Sequence, residues 1–448
     1  MHAQQATIFA LSSGHGRAGV AVVRLSGPAA GSVLDRMAAP RPKPRYAAFR
    51  RLKHPHTGEV LDQALVLWFP GPASETGEDM AELQVHGGRA VVQGVIGALA
   101  ALEGCRLAEA GEFARRAFEN GKLDLTGVEG LADLIDAETA AQRRQALRQA
   151  EGALYQLYET WRQGLLAAMA LTEAGIDFSD EPDVAVDALV KARQEIAPIA
   201  QAIAAHLDDG HRGEVVRDGL QVVLGGAPNV GKSSLLNALA RRDIAIVSDE
   251  PGTTRDVLEV KLELEGLPVV VSDTAGIRAA AGKVEEEGIR RAMARMRAAD
   301  LVLWLMDAAD PSPAPPPANL AVRADRLLIV HNKADLVYGS SLPAPSEDAI
   351  AISAFKGFGL ETLIARLTAI ASARVGDQDT PALTQARHRQ HLLRCRAALS
   401  SFLASPDEDT ELRAEDLRRA AQSLGRLVGA IAVEDVLDQV FGRFCIGK

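Results

Sequence analysis

The chain has 448 residues, 47% of them apolar, and a formal net charge of −10. That length exceeds what one hydrophobic core organises and predicts roughly three domains, while the acidic balance works against indiscriminate nucleic-acid binding, so any RNA contact needs a local basic surface. No run of about 18 apolar residues and no basic-then-apolar leader is present, which argues against a membrane span or secretion. The three cysteines, Cys105, Cys395 and Cys445, are far apart and form no C-x-x-C pair, which argues against a disulfide framework or a zinc site and fits a reduced, cytoplasmic protein.

From Thr7 to about Asp124 the pattern alternates between strands and helices, as in a compact α/β domain. Thr7–Leu11, Gly19–Leu25, Ala64–Phe69 and Glu82–Val85 read as strands, with glycine turns at Gly14/Gly16 and Gly87/Gly88. Glu78, Asp79, Glu82 and His86 gather around one of them, and Arg24, Arg115, Arg116 and Lys122 supply cations elsewhere; by spacing alone these are solvated turns. After Leu125 the composition turns to Ala, Leu, Gln, Arg and Glu as far as about His206. Leu131, Leu134 and Ile135, and then Leu154, Leu157, Tyr158 and Trp161, recur at helical spacing, which predicts a helical bundle with one apolar face per helix.

Strands and helices alternate again from about Leu220 to Ile370. Strands are expected at Leu220–Leu224, Val257–Leu264, Pro268–Ser272, Leu301–Met306 and Leu327–His331. Between the first of these and a helix over Ser233–Ala240 lies Gly226-Ala227-Pro228-Asn229-Val230-Gly231-Lys232-Ser233, which fits the phosphate loop G-x-x-x-x-G-K-[ST]. Its backbone N–H groups and the helix N-terminus suit a polyphosphate; Lys232 suits the β and γ phosphates, and the Ser233 hydroxyl suits Mg²⁺. Ala309–Asn319 reads as an extended surface loop and Ala373–Thr384 as a linker, after which helices resume. The nucleotide domain is thus inserted into a helical domain, although a separate C-terminal bundle would leave the same pattern. In that last region Arg387, His391 and Arg394 share a helix face, with Arg389 and Arg396 nearby: a solvated face or a tRNA contact.

Four further signatures follow the phosphate loop in order. Gly252-Thr253-Thr254-Arg255-Asp256 offers Thr254 to Mg²⁺ and the γ-phosphate. Asp273-Thr274-Ala275-Gly276 closes a strand, with Asp273 holding Mg²⁺ through water and the Gly276 N–H meeting the γ-phosphate. In Asn332-Lys333-Ala334-Asp335, Asp335 can accept from the N1–H and exocyclic amine of guanine, a donor pair that adenine lacks, and Ser353-Ala354 supplies the last base-side loop. Together they imply GTP. Ser234, Val230, and the stretch Ser248, Asp249, Glu250, Pro251 complete the expected nucleotide-binding set. Ile277 stands where Ras-like enzymes use Gln to orient water; Glu285, in Val284-Glu285-Glu286-Glu287-Gly288, is the candidate replacement, unless the run is an acidic helix start. The Asn229 side chain could hold a monovalent cation where an arginine finger would place its charge.

The whole chain resembles the bacterial tRNA-modification GTPase family MnmE, also called TrmE. The resemblance is carried by Gly16-Arg17, Val23-Arg24-Leu25-Ser26-Gly27, Thr76-Gly77-Glu78-Asp79, Glu82-Leu83-Gln84, His86-Gly87-Gly88, Gly111-Glu112-Phe113, Arg116-Ala117-Phe118, Asn120 to Leu125, the GTPase signatures and Phe444-Cys445-Ile446-Gly447-Lys448. It departs from the usual pattern at Glu75, where an aromatic residue is common, at Ala110 and at Phe355.

The resemblance implies an N-terminal α/β tetrahydrofolate-binding and dimerisation domain (1–121), a discontinuous helical bundle (122–217 and 378–448), and an inserted P-loop GTPase domain with a Ras-like α/β sheet (218–377). It further implies a homodimer that works with the FAD-dependent partner MnmG to install an aminomethyl or carboxymethylaminomethyl group at C5 of the wobble uridine of certain tRNAs, the carbon coming from 5-formyl- or 5,10-methylene-tetrahydrofolate. Matching positions are Arg24, Glu82, Lys122 and Lys448 for folate, Asn229, Ser248, Glu250 and Thr253 for K⁺, and Glu285 for orienting water, with Lys232 and Thr254 as its catalytic companions. Cys445 matches a residue that is either a nucleophile or a small buried hydrophobe. The alternatives from other classes are a ribosome-assembly GTPase switch without modification chemistry, and a scaffold whose nucleotide domain only regulates docking.

Overall fold

Two stretches of alternating β-branched and aliphatic residues, separated by helix-forming sequence, build two separate sheets in the computed structural model. It describes residues 6–14, 16–177, 182–246, 259–273, 283–320, 322–337, 349–376, 380–406, 409–431 and 434–447. Contacts group the chain into two units, each assembled from distant segments: Met1–Ala132, Gln149–Ala192 and Pro406–Lys448 form one, Asp133–Arg148 and Arg193–Ser405 the other.

In the first unit six strands lie in the order β3-β4-β5-β2-β1-β6. They are β1 Thr7–Leu11, β2 Ala18–Ser26, β3 Ala48–Lys53, β4 Val60–Phe69, β5 Met80–Gly87 and β6 Cys105–Leu107. All pairings are antiparallel except β1 with β6. Residues of alternating side-chain direction, among them Val23, Leu25, Val66, Leu83 and Val85, are buried with Leu34 and Met37 of α1 (Ala30–Met37) and Val95 and Leu99 of α2 (Arg89–Ala100). The opposite pleat carries Arg24 and Glu82 along with a smaller buried cluster of Ile8, Ala10, Met80, Ala108 and Phe113. Strands β3 and β6 are not legible in the sequence. The former is an edge strand with three cations in AFRRLK, and the latter is three residues long.

The same unit holds α3 (Glu112–Glu119), α4 (Leu125–Ile135), the long helix α6 (Ala153–Asp177) and α13 (Thr410–Val428). Helix α6 packs on α13. Its buried face is Leu154, Tyr158, Trp161, Leu165, Ala168 and Thr172, a helical repeat, and the rings of Tyr158 and Trp161 pack tilted with centroids 5.6 Å apart. Ile135 instead is exposed. At the chain's end α14 (Glu434–Phe441) and Phe444 join Ala114, Leu125 and Val128 in one apolar cluster, so the C-terminus returns to the N-terminal domain.

The second unit carries the sheet β12-β11-β10-β7-β9-β8. Its strands are β7 Leu220–Gly226, β8 Glu259–Leu264, β9 Leu267–Asp273, β10 Leu301–Asp307, β11 Leu327–Asn332 and β12 Ala349–Ala351, parallel throughout except β8. Fully buried Leu220, Val222 and Leu224 make β7 a central strand, the pattern of a sheet covered on both faces. The stretch expected as a linker is partly core: α11 (Leu360–Val375) occupies its start, and Leu383 is fully buried. In α12 (Ala386–Ala404) the expected basic face breaks up, because His391 is buried and Arg389 lies between Asp209 and Glu214 at 3.0 Å from each.

Candidate functional site

The buried strand β7 ends at Gly226, and α9 (Lys232–Ala240) begins six residues later. Between them Asn229 and Gly231 take left-handed backbone, φ 63° and 96°. Gly231 has a second constraint: a Cβ there would sit 2.2 Å from Nδ2 of Asn332, so only glycine lets that side chain close on the loop. The Lys232 ammonium, nearly buried, donates to the carbonyls of Gly226 and Ala227 at 2.9 and 2.8 Å. It is thereby held above the loop whose N–H groups and helix N-terminus face the same way.

Ser233, in the first turn of α9, donates its hydroxyl to Oδ2 of Asp273 at 2.7 Å. Asp273 ends β9, in register with Leu224 of β7, and is buried. A hydroxyl and a carboxylate converging at a phosphate loop are hard oxygen ligands, which fits Mg²⁺. On the other flank, Asn332 at the end of β11 donates Nδ2–H to the Val230 carbonyl at 2.8 Å, and its Oδ1 accepts the Ala354 N–H at 3.0 Å. One buried amide therefore joins the phosphate loop to the Ser353-Ala354 loop. Lys333, also left-handed, pairs with Asp307 at 2.6 Å. Burial pushes the Asp307 carboxyl up, but the Lys333 ammonium and the Ala309 N–H outweigh it and hold the group below the usual carboxylate range. Ser353 is fully buried, its Oγ accepting the Lys356 N–H at 3.1 Å, whereas Asp335 is exposed in a short turn over Ala334–Leu336.

The structure thus brings Lys232, Ser233 and Asp273 together, and Asn332 with Val230 and Ala354. Asn229 and Ser234 stand exposed at the loop and the first turn of α9. Ser248, Asp249, Glu250, Pro251, Gly252, Thr253, Thr254, Thr274, Ala275, Gly276 and Lys448 lie outside the described residues. Glu285 falls in the first turn of α10 (Lys283–Ala298), as an acidic helix start would, and its side chain also lies outside the description. The chain on either side of residues 247–258 is tied together: Ile246 N–H donates to the Lys261 carbonyl at 2.9 Å and Glu263 N–H to that of Ile244 at 2.8 Å.

On the second pleat of the N-terminal sheet, Arg24 of β2 and Glu82 of β5 are cross-strand partners. Arg24 donates from Nε and Nη2 to Oε1 of Glu82 at 3.2 and 3.1 Å, and its Nη1 pairs with Glu75 at 2.8 Å. Both carboxylates border a cavity of about 350 Å³. Lys122 is exposed and stands beside Gly77. The acidic residues of this region are not solvated turns. Glu78, in the turn before β5, pairs with buried Arg116 of α3 at 2.9 Å and accepts from Ser26 at the end of β2 at 2.6 Å, and the exposed His86 of β5 meets Asp62 of β4 at 2.8 Å. Glu75 stood out in the sequence as the departure before Thr76-Gly77-Glu78-Asp79, whereas Arg45, which also borders the cavity, carried no motif.

The terminal segment is fastened to the same domain. Ile446 bridges Ala110, and Ser12 donates to the Gly447 carbonyl at 2.8 Å. Gly447 is left-handed, φ 106°, and a Cβ there would meet the Leu11 carbonyl oxygen at 2.3 Å. Cys445 is exposed, which removes the reading of it as a small buried hydrophobe.

Residues 7–122 match the family described as GTP-binding protein TrmE N-terminus, and residues 125–445 match the MnmE helical domain family. The chain belongs to the tRNA modification GTPase MnmE family. It is 53% identical to the tRNA modification GTPase MnmE of Parvibaculum lavamentivorans over 99% of this chain and 100% of that one, and 52% identical to that of Rhodospirillum rubrum over 99% of each. It is also similar to the human mitochondrial 5-taurinomethyluridine-[tRNA] synthase subunit GTPB3, 49% identical over 99% of this chain and 93% of that one. Like other members of the MnmE family, the chain is a GTP hydrolase of tRNA modification, built from an N-terminal α/β domain, a helical domain and a P-loop GTPase domain. No helix among the described residues is long and apolar enough to cross a membrane.

Proposed function

We propose that this chain is a K⁺-dependent GTPase that acts as a cytoplasmic homodimer with an FAD-dependent partner of the MnmG type. The pair installs an aminomethyl or carboxymethylaminomethyl group at C5 of the wobble uridine of certain tRNAs, using a tetrahydrofolate one-carbon unit. The observation that carries the reading is the Asn332 clamp, which sets a phosphate loop and a guanine-side loop at a fixed separation in a chain of this family.

In this reading Lys232 leaves the carbonyls of Gly226 and Ala227 for the β and γ phosphates, exchanging neutral acceptors for charged ones. Asp335 accepts from the guanine N1–H and amine, Lys333 and Asn332 brace the base-side loop, and Ser353 and Ala354 close it. Ser233, Thr254 and Asp273 hold Mg²⁺, and Asn229, Ser248, Glu250 and Thr253 hold K⁺; bound there, the two cations supply charge neutralisation along the phosphates. Glu285 orients the attacking water. Val230, Gly231, Ser234, Asp249, Pro251, Gly252, Thr274 and Ala275 complete the nucleotide-binding set, and the Gly276 N–H meets the γ-phosphate.

Glu82, braced by Arg24, is the ligand-facing acid of the N-terminal cavity, with Lys122 and Lys448 as the cations for the folate tail. Tetrahydrofolate, bound there, would supply the one-carbon unit transferred to uridine. Cys445, exposed near this end of the chain, is available to chemistry or to partner contact. The domains in this reading are 1–121, 122–217 with 378–448, and 218–377, and GTP-driven association of the nucleotide domains works as a switch coupled to modification.

Nucleoside mass spectrometry of tRNA from cells lacking the gene tests this directly. The C5-modified wobble uridine should disappear and return with the wild-type gene but not with Glu285→Ala. An unchanged profile would overturn the modification role and favour a ribosome-assembly switch.

A further inference from the structure

Arg24 is held by carboxylates on two sides. Its Nε and Nη2 reach Glu82 at 3.2 and 3.1 Å, and its Nη1 reaches the two oxygens of Glu75 at 2.9 and 2.8 Å. The guanidinium is only 16% exposed and Glu82 19%, while Glu75 is 49% exposed. Glu75 takes the edge of Arg24 that Glu82 leaves, so little of the guanidinium remains for a ligand's carboxylate. The cavity of about 350 Å³ that both acids border is completed by Arg45, Phe69, Ala73, Ser74 and Met80. Arg45 is itself engaged, donating to the Ala73 carbonyl and lying 5.9 Å from the centre of the Phe69 ring.

A lining of two carboxylates, an aromatic ring and a thioether suits a flat heterocycle with adjacent N–H donors. The 2-amino-4-oxopyrimidine edge of a pterin is such a group, since its ring N–H and exocyclic amine form the donor pair that a carboxylate accepts in parallel. The glutamyl tail of a folate, with its carboxylates, finds no such welcome at Arg24.

We propose that Glu75 is a specificity-determining residue of this cavity: it selects the pterin ring and denies Arg24 to the anionic tail. The inference rests on the folate reading given above. It makes affinity depend on the ring and leaves it indifferent to the length of the tail at this position.

Calorimetric titration of the full-length protein with tetrahydropterin, and with 5-formyltetrahydrofolate as monoglutamate and triglutamate, tests it. Wild type should bind the two folates within about 3-fold of each other. Glu75→Gln should weaken tetrahydropterin about 10-fold, the scale of one charge-assisted hydrogen bond. It should also raise the preference for triglutamate, because Arg24 is released. Glu75→Asp, which keeps the charge, should recover part of the ring affinity, and an unchanged melting temperature in both variants shows that the fold is intact. Unchanged tetrahydropterin affinity in Glu75→Gln, or a preference for triglutamate that does not rise in that variant, overturns the role of Glu75 and leaves the folate reading standing. A wild type that binds none of the three overturns the folate reading and this inference with it.

Discussion

Asn332 and Val230 are 102 residues apart in sequence and joined by a 2.8 Å hydrogen bond from the buried amide to the phosphate-loop carbonyl. The same amide's oxygen accepts the Ala354 N–H, so one side chain sets the spacing between phosphate and base loops. Asn332→Ala removes both bonds and leaves the buried Val230 carbonyl, at about 1–3 kcal/mol, and the half-buried Ala354 N–H to find other partners. Affinity for a fluorescent GTP analogue should fall about 10-fold or more, with a lower melting temperature. Retained affinity would show that the loops keep their spacing without the clamp.

Glu285 sits in the first turn of α10. If it orients the attacking water, Glu285→Ala slows single-turnover GTP hydrolysis about 100-fold while GTP binding stays within a few-fold of wild type. Wild-type turnover in that variant would reduce the residue to a helix-start acid.

Asn229 projects from a left-handed turn at the outer edge of the phosphate loop. Replacing K⁺ by Na⁺ should lower the hydrolysis rate at least 10-fold, and Asn229→Ala should lower the K⁺ rate while leaving the Na⁺ rate nearly unchanged. Equal rates in the two salts would remove the cation from the mechanism.

Burial pushes the His206 imidazole down to about 4, a shift that Asp209 opposes and that Arg212, His388 and Arg389 reinforce. The folded state therefore resists a proton that the unfolded state accepts near its ordinary pKa of about 6.5. Stability from this group is complete above about pH 6.5 and is lost as pH falls toward 4, by roughly 3 kcal/mol in total. Urea midpoints should fall across that window, and His206→Gln should flatten the slope. A parallel slope in both proteins would place the titration elsewhere.

Gly447 is pinned against the Leu11 carbonyl with φ 106°. Gly447→Ala drives a Cβ into backbone and strains a left-handed position, at roughly 2 kcal/mol or more. Thermal melting should drop, and limited proteolysis should release the C-terminal segment first. An unchanged melting curve would mean that the terminal segment is not a structural fastener.

The strands with strong internal apolar patterns were readable without coordinates: β1 is Thr7–Leu11 as expected, and β7, β9, β10 and β11 begin within a residue of their expected starts. Burial on both faces writes itself into the sequence as a run of Val, Leu and Ile. The nucleotide motifs were equally plain, because a polyphosphate demands glycine, lysine and a hydroxyl at fixed spacing within one loop. Strands β3, β6 and β12 were not readable, since a short or edge strand is stabilised by its ladder neighbours more than by its own residues. The same reason governs the pairings that make the sites. Ser233 with Asp273, Asn332 with Val230, and Arg24 with both Glu82 and Glu75 join residues 40 to 102 positions apart. Local chemistry chose which residue types stand ready, and only the sheet register and the folding of loops over it decided which of them meet.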